Sequence, residues 1–137
     1  MTKEKKIFQP LTSENICEIY NLLLNENLVV FPVGKGVINK IEAIVANVNG
    51  VNYGEENYSK STDKVVAYLY FLIKNHPFVD GNKRTAVLTF LVLCKINNLQ
   101  CHLNGFELDE LAVFLESLDS SDYKNTIKVV SNTIFSD

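Results

Sequence analysis

The decapeptide His76-Pro77-Phe78-Val79-Asp80-Gly81-Asn82-Lys83-Arg84-Thr85 brings a base, a carboxylate, a free backbone position and two cations together within ten residues. It stands between two strongly apolar stretches, residues 65–73 and 86–96, so it reads as a loop presenting chemistry from a helical frame. The chemistry it suits is phosphate handling. A loop that leads into a helix offers unpaired N–H groups and partial positive charge, which bind anions. Gly81 lets the backbone approach a ligand, or take a positive φ, without a Cβ clash. Asn82 tolerates the left-handed region and supplies an amide, while Lys83 and Arg84 add two full positive charges. The logic is that of a P-loop without its spacing.

Asp80 would by itself weaken anion binding. It makes sense as the ligand of a Mg²⁺ that bridges phosphate oxygens, since such sites use one or two carboxylates plus the substrate's phosphates. Histidine suits a general base at neutral pH, and His76 is one of only two in the chain. Phe78, between them, is expected to point into the core and pin the loop.

A plain structural role is open to the same residues. His76 can end one helix, Asp80-Gly81-Asn82 can form a turn with Asp80 or Asn82 capping the next, and Lys83 and Arg84 can be a solvated pair. Two cations in a first helical turn oppose the helix dipole, at about 0.3–1 kcal/mol each. That favours an anionic partner.

The elements around the loop read as helices. Thr12 or Ser13 caps the first, with Ile16, Ile19, Tyr20 and Leu23 on one face. Residues 28–33 form the strand-like run, and Pro32 within it restricts that run to an edge strand or flap. A second helix buries Ile38, Ile41, Val45 and Val48, and 50–61 is loop-like. The third runs from about 62 to 75, apolar nearly all round and therefore buried. It stops near His76, because Pro77 disfavours the α conformation before it. The fourth begins at Lys83 to Thr85, reaches about Asn97 and leaves little polar surface, so the two should pack centrally. Asn104 and Glu107 resemble a capping box opening a fifth helix with Leu108, Leu111, Leu115 and Leu118 on one face. After a turn at 119–122, a sixth carries Tyr123, Ile127, Val130 and Ile134. The fold class is all-α: about six helices around two central buried ones, with at most one short hairpin.

The bulk composition bounds the function. The chain has 137 residues, enough for one domain with a real core. Its 47% hydrophobic and 21% charged residues fit a soluble globular protein. A net charge of −3 argues against nucleic acid as a partner. The three cysteines form no Cys-x-x-Cys pair. Cys17 and Cys94 fall in apolar helical patterns and are expected to be buried free thiols, as in a reducing cytosol. Cys101 next to His102 does not make a metal site. Residues 1–6 are charged but no apolar run follows, so no signal peptide is read. The longest near-apolar run, Ala86 to Cys94, is about half a membrane span. A cytoplasmic protein with no membrane partner is expected.

His76, Phe78, Asp80, Gly81, Asn82, Lys83 and Arg84 together resemble the signature of the Fic/Doc family, His-x-Phe-x-(Asp/Glu)-(Gly/Ala)-Asn-(Gly/Lys)-Arg. The resemblance extends over about residues 10–118 of a single domain spanning 1–137, with a C-terminal helix at about 122–135 beyond it. It implies an all-α Fic fold with a small β flap over the site. It implies transfer of a phosphate-containing group from a nucleotide, ATP with Mg²⁺, to a Ser, Thr or Tyr hydroxyl of a protein. Carried over by position, His76 takes the proton of the target hydroxyl and Asp80 coordinates Mg²⁺. Gly81 and Asn82 shape the anion hole, and Arg84 binds the phosphates.

Lys83 divides the family. Fic adenylyltransferases carry Gly at this position, whereas Doc-type toxins carry Lys and act like kinases, moving the γ-phosphate of ATP onto elongation factor Tu. A glycine leaves room beside the anion hole for a further phosphate, and a lysine fills that room and adds charge. Lys83 thereby joins His76 and Arg84 as a catalytic candidate and favours phosphoryl transfer, while His76-Pro77 and Gly81 look more like the adenylyltransferase form. The resemblance also implies a target segment docking beside the flap as an added strand, for which Val29, Val30, Phe31 and Val33 are the candidates. A short strand closing the core is the other reading of those residues. No (Ser/Thr)-x-x-x-Glu-(Gly/Asn) inhibitory motif is present, so inhibition would require a separate antitoxin. A non-catalytic binding module of the same fold is the competing class. A nucleic-acid-binding regulator would need a basic helix that the chain lacks.

Overall fold

Thr12 and Asn15 open α1 (Ser13–Asn25) with a reciprocal cap. The Asn15 N–H donates to Thr12 Oγ1 at 3.1 Å, and the Thr12 N–H donates to Asn15 Oδ1 at 3.0 Å. This computed structural model describes residues 7–135; the charged segment 1–6, read above for a leader, lies outside the described residues. The order continues α2 (Lys35–Asn49), β1 (Val51–Asn52), β2 (Glu55–Glu56), α3 (Ser61–Lys74), α4 (Asn82–Ile96), α5 (Gly105–Ser117), a 3₁₀ turn (Ser120–Asp122) and α6 (Tyr123–Ile134). The Asn104–Glu107 capping box opens α5 as expected, with both reciprocal bonds formed.

Helix α3 is the axis of the molecule. Val65, Val66, Ala67, Tyr68, Leu69, Tyr70, Leu72 and Ile73 are all buried on it. It packs against α2, α4, α5 and α6, most extensively against α4. One hydrophobic core runs through all six helices. Cys17 and Cys94 sit in it as free thiols, and burial pushes the Cys94 thiol up to about 12, with Cys101 adding to the shift.

Three expectations are corrected. Residues 28–33 form no strand: the Phe31 carbonyl is taken by the Tyr20 hydroxyl, and Val29 is buried against Gly81. Among the described residues the β structure is instead a hairpin inside the stretch read as loop, pairing Val51 with Glu56 and Asn52 with Glu55. Its turn residues Tyr53 and Gly54 have φ of 53° and 79°, the two positive values that a type I′ hairpin turn requires. On α2 the buried face is Val37, Ile41, Ile44 and Val48, with Ile38 exposed. Both faces have helical spacing, and the contacts with α1 and α3 select one of them. Finally, α4 is less enclosed than α3: Leu91, Val92 and Ile96 face solvent because α1, α3 and α5 cover only part of its circumference.

Candidate active site

Helix α3 ends in a way that aims His76. Its C-cap is Asn75, and His76 follows with φ of +44°. Helices α1 and α4 also end on left-handed residues, Asn27 and Asn98, and there the next residue's N–H bonds back into the helix, Leu28 to Leu23 O and Leu99 to Cys94 O. After His76 comes Pro77, which has no N–H to close that bond. The left-handed conformation costs a non-glycine residue about 1–2 kcal/mol, and the packing of the residues that follow must hold it. Phe78 does this: it is buried and stacks face to face on Tyr20 of α1, with centroids 4.1 Å apart and planes at 2°. Phe78 therefore pins the loop as its pattern suggested.

Asn82 ties the loop into a closed ring. Its Oδ1 accepts from the Phe78 N–H at 2.9 Å, and its Nδ2 donates to the Phe78 carbonyl at 2.9 Å. These bonds orient the amide, so its remaining N–H faces His76 Nδ1 at 3.4 Å. An amide nitrogen only donates, so Nδ1 accepts and the neutral ring carries its hydrogen on Nε2. The ring is half-exposed, and giving up one long hydrogen bond to reach the other tautomer costs about 1 kcal/mol or less. Asn82 is thus a buried brace. It is neither left-handed nor a cap, as the loop reading allowed; the left-handed residue and N-cap is Gly81, at φ +76°. A Cβ at Gly81 would collide with Val29 Cγ1.

The start of α4 is left without a side-chain cap. Asp80, the other capping candidate, folds back so that Oδ1 accepts from the Gly81 N–H at 2.8 Å. Where α1 and α5 satisfy their first turns with capping boxes, the first-turn N–H groups of α4 face a groove of about 370 Å³. Such an end binds anions. His76, Asp80, Gly81, Asn82, Lys83 and Arg84 all line this one groove. Arg84 is exposed and makes no ion pair or hydrogen bond among the described residues, so its guanidinium is uncommitted.

Two contributors were not legible in the motif. Tyr20 supports Phe78 and donates its hydroxyl to the Phe31 carbonyl, fixing the 28–34 connection against the site. Burial, then the nearby Asp80 carboxylate, push this phenol upward. Glu116, at the end of α5, joins the groove wall. Its two carboxylate oxygens accept from Lys83 Nζ at 3.0 and 3.1 Å, and Oε2 lies 3.8 Å from His76 Nε2. No sequence signal marks either residue.

The flap candidates divide. Val29 is buried behind Gly81 and Val33 is half-buried, while Val30 and Phe31 are 77% and 49% exposed. None of the four lines the groove, although the neighbouring Leu28 does.

A Mg²⁺ fits the donor set. Asp80 is exposed, and its Oδ2 accepts no hydrogen bond among the described residues. One carboxylate beside an anion site matches a magnesium ion completed by phosphates and water. No group of three potential metal-ligating side chains exists among the described residues, so the protein alone would hold such an ion weakly.

Comparisons with known proteins converge on this region. The model of the Fic/DOC family matches residues 10–94, more than half of the chain and including the whole loop. The chain is similar to Toxin Doc of Mycolicibacterium smegmatis (strain ATCC 700084 / mc(2)155), with 33% identity over 82 residues. That match covers 60% of this chain and 62% of the toxin, so the likeness spans less than two thirds of the relative's length.

Proposed function

This chain belongs to the Fic/DOC family, and on that premise we propose that it is a protein-modifying toxin that transfers a phosphoryl group from ATP to a protein hydroxyl. The observation that carries the reading is the uncapped N-terminus of α4 opening on a groove that also holds a base, a carboxylate and a free guanidinium. Each group has a separable task. The first-turn N–H groups and Arg84 take phosphate oxygens and stabilise the charge that develops there. His76 accepts the proton of the incoming hydroxyl through Nε2, in the tautomer that carries hydrogen on Nδ1. Asp80 would hold Mg²⁺, which would supply neutralisation of the phosphate charge.

Lys83 supports phosphoryl over adenylyl transfer. Its ammonium is paired with Glu116, and both side chains line the groove, taking space and adding charge where a further phosphate would need room. The glycine at position 81 and the His76-Pro77 pair are the features that favour adenylyl transfer. The exposed Val30 and Phe31 beside the groove suit a target segment, with a translation factor such as elongation factor Tu as the candidate. The likeness to Toxin Doc supports a separate antitoxin partner. Among the described residues no helix is long and apolar enough to cross a membrane, and ATP as the donor supports a cytoplasmic reaction.

Incubation with a bacterial lysate and ATP labelled at the α or the γ phosphate tests the reading. Label from γ alone, with a target mass gain of about 80 Da, is the expected result. Label from α, with a gain of about 329 Da, means adenylyl transfer. Absence of both, with His76→Ala as toxic on expression as the parent, leaves a non-catalytic binding module.

A further inference from the structure

Apart from Leu28, in the α1–α2 connection, Glu116 is the one residue lining the groove that comes from outside the segment 76–84 between α3 and the start of α4. Its position is built. Lys74, at the end of α3, donates its ammonium to the Glu116 carbonyl at 3.2 Å and also to the Leu118 carbonyl, closing the C-terminal end of α5 onto α3. Lys74 stands two residues before His76 in the sequence, so the Glu116 backbone is tied to the end of the helix that presents His76. Its side chain meets the Lys83 ammonium and the ring of the candidate base: Lys83 Nζ on both oxygens at 3.0 and 3.1 Å, and His76 Nε2 at 3.8 Å. Sharing Oε2 places Nζ and Nε2 at most about 7 Å apart.

We infer that Glu116 is a positioning residue for the transfer reaction, holding the Lys83 ammonium beside the His76 ring and offsetting the charge that the ring acquires when it takes a proton. The inference rests on the transferase reading of this groove. Three observations carry it. Lysine has a long flexible stem, so an ammonium kept at one place needs a partner, and Glu116 provides one to both of its oxygens. The pair is too exposed, at 41% and 35% for the two side chains, for stability to account for it. A carboxylate in a groove for an anionic donor is unfavourable to donor binding, so its presence calls for a benefit at another step. That benefit arises when His76 becomes an imidazolium close to Lys83, with Arg84 and a helix N-terminus nearby. The Glu116 carboxylate is then in contact with both cations.

The two halves of this role have opposite signs, and this makes them measurable. Glu116→Gln keeps the volume and removes the charge. The donor should then bind more tightly, because Lys83 is released to it and a repulsive charge is gone. Turnover should fall on the order of tenfold or more, because the help given as the proton moves is lost. KM for ATP and kcat therefore fall together, a pattern that mere loss of structure does not produce. Glu116→Asp should return KM towards the parent value and recover part of kcat, since it restores charge at a shorter reach.

The experiment measures kcat and KM with γ-labelled ATP in the parent, E116Q and E116D, and separately the Kd of Mg²⁺-ADP by calorimetry. Lower kcat with tighter ADP supports the role. Parent-like kcat and Kd in E116Q reduce the contact to a surface ion pair and overturn it. Weaker ADP binding together with a lowered melting temperature overturns it as well, in favour of a structural brace. If the parent transfers neither α nor γ label, the transferase reading fails by itself. The ADP titration then still decides whether Glu116 opposes anion binding, and an unchanged Kd overturns the inference. The ring-nitrogen NMR signals of His76 provide an independent check: they should move in E116Q, and unmoved signals would show that Glu116 does not act on the ring.

Discussion

Tyr20 and Phe78 lie face to face, ring planes 2° apart at 4.1 Å, and this stack joins α1 to the loop that carries the candidate chemistry. The same tyrosine donates to the Phe31 carbonyl. One residue thus anchors both the loop and the segment 28–34 beside it. Phe78 in turn is bonded at both its N–H and its carbonyl to the Asn82 amide, so the order runs from α1 through the loop to the first turn of α4.

Tyr20→Phe should separate the two duties. The stack survives and the bond to Phe31 is lost, for a stability change of about 1 kcal/mol. Amide exchange at residues 29–31 and 33 should accelerate while the α4 amides stay protected. Tyr20→Ala removes the stack as well and should destabilise by roughly 3–5 kcal/mol in denaturant titration.

Gly81→Ala should be strongly destabilising, on the order of 1–3 kcal/mol for the left-handed backbone alone. The collision of its methyl with Val29 adds to this. Val29→Ala in the same chain should return the collision part and leave the backbone part. A double-mutant cycle in which the two effects simply add would show that the Val29 contact is unimportant.

Asn82→Ala removes three contacts of a buried amide and leaves the Phe78 N–H and carbonyl unpaired. A loss of about 2–4 kcal/mol is expected, at roughly 1–3 kcal/mol for each unsatisfied buried group. Activity should fall with it, because the ring closed between Phe78 and Asn82 no longer holds the loop that carries His76.

Arg84→Ala should behave in the opposite way. The side chain is exposed and makes no polar contact among the described residues, so the unfolding free energy should stay within about 0.5 kcal/mol of the parent. Nucleotide affinity and transfer should collapse. Binding of Mg²⁺-ATP at parent strength in a folded R84A protein would remove Arg84 from the site.

Alkaline pH should unfold the protein through its buried acids. The Cys94 thiol is raised from 9.0 to about 12, mainly by burial and then by Cys101, and the Tyr58 phenol from 10.0 to about 12, mainly by burial and then by Tyr123, Tyr70 and Asp63. Both are neutral when protonated, and both release their protons earlier in the unfolded chain. Their contribution to stability is complete below about pH 9 and is lost as the pH rises from there towards 12. Denaturant midpoints measured from pH 8 to 11.5 should fall across that window, with Cys94→Ala removing part of the slope.

Local chemistry was readable along the chain. The Thr12 and Asn104 caps, the stop before Pro77 and the inward-facing Phe78 follow from interactions within about four residues. So does the convergence of His76, Asp80, Gly81, Asn82, Lys83 and Arg84, because ten consecutive residues bent over one helix start cannot be far apart. Choices between locally equivalent options were not readable. Val37-Ile41-Ile44-Val48 and Ile38-Ile41-Val45-Val48 are both helical faces, and only the neighbours α1 and α3 select one. The run 28–33 has strand-like residues, but a strand needs a partner, and Tyr20 and Gly81 claim its backbone and its valine first.

The amino-acid sequence by itself determined the helices, the loop between α3 and α4 and the set of groups that line one groove. The tertiary structure decided what those groups touch: Tyr20 beneath Phe78, Val29 in the space that Gly81 leaves, and Glu116 across from Lys83 and His76. The physical reason is range. Capping, turn geometry and helical periodicity act within one or two turns and are written in neighbouring residues. The partner of a charge 33 positions away depends on how α5 lies against α3, and that is set by packing over the whole core.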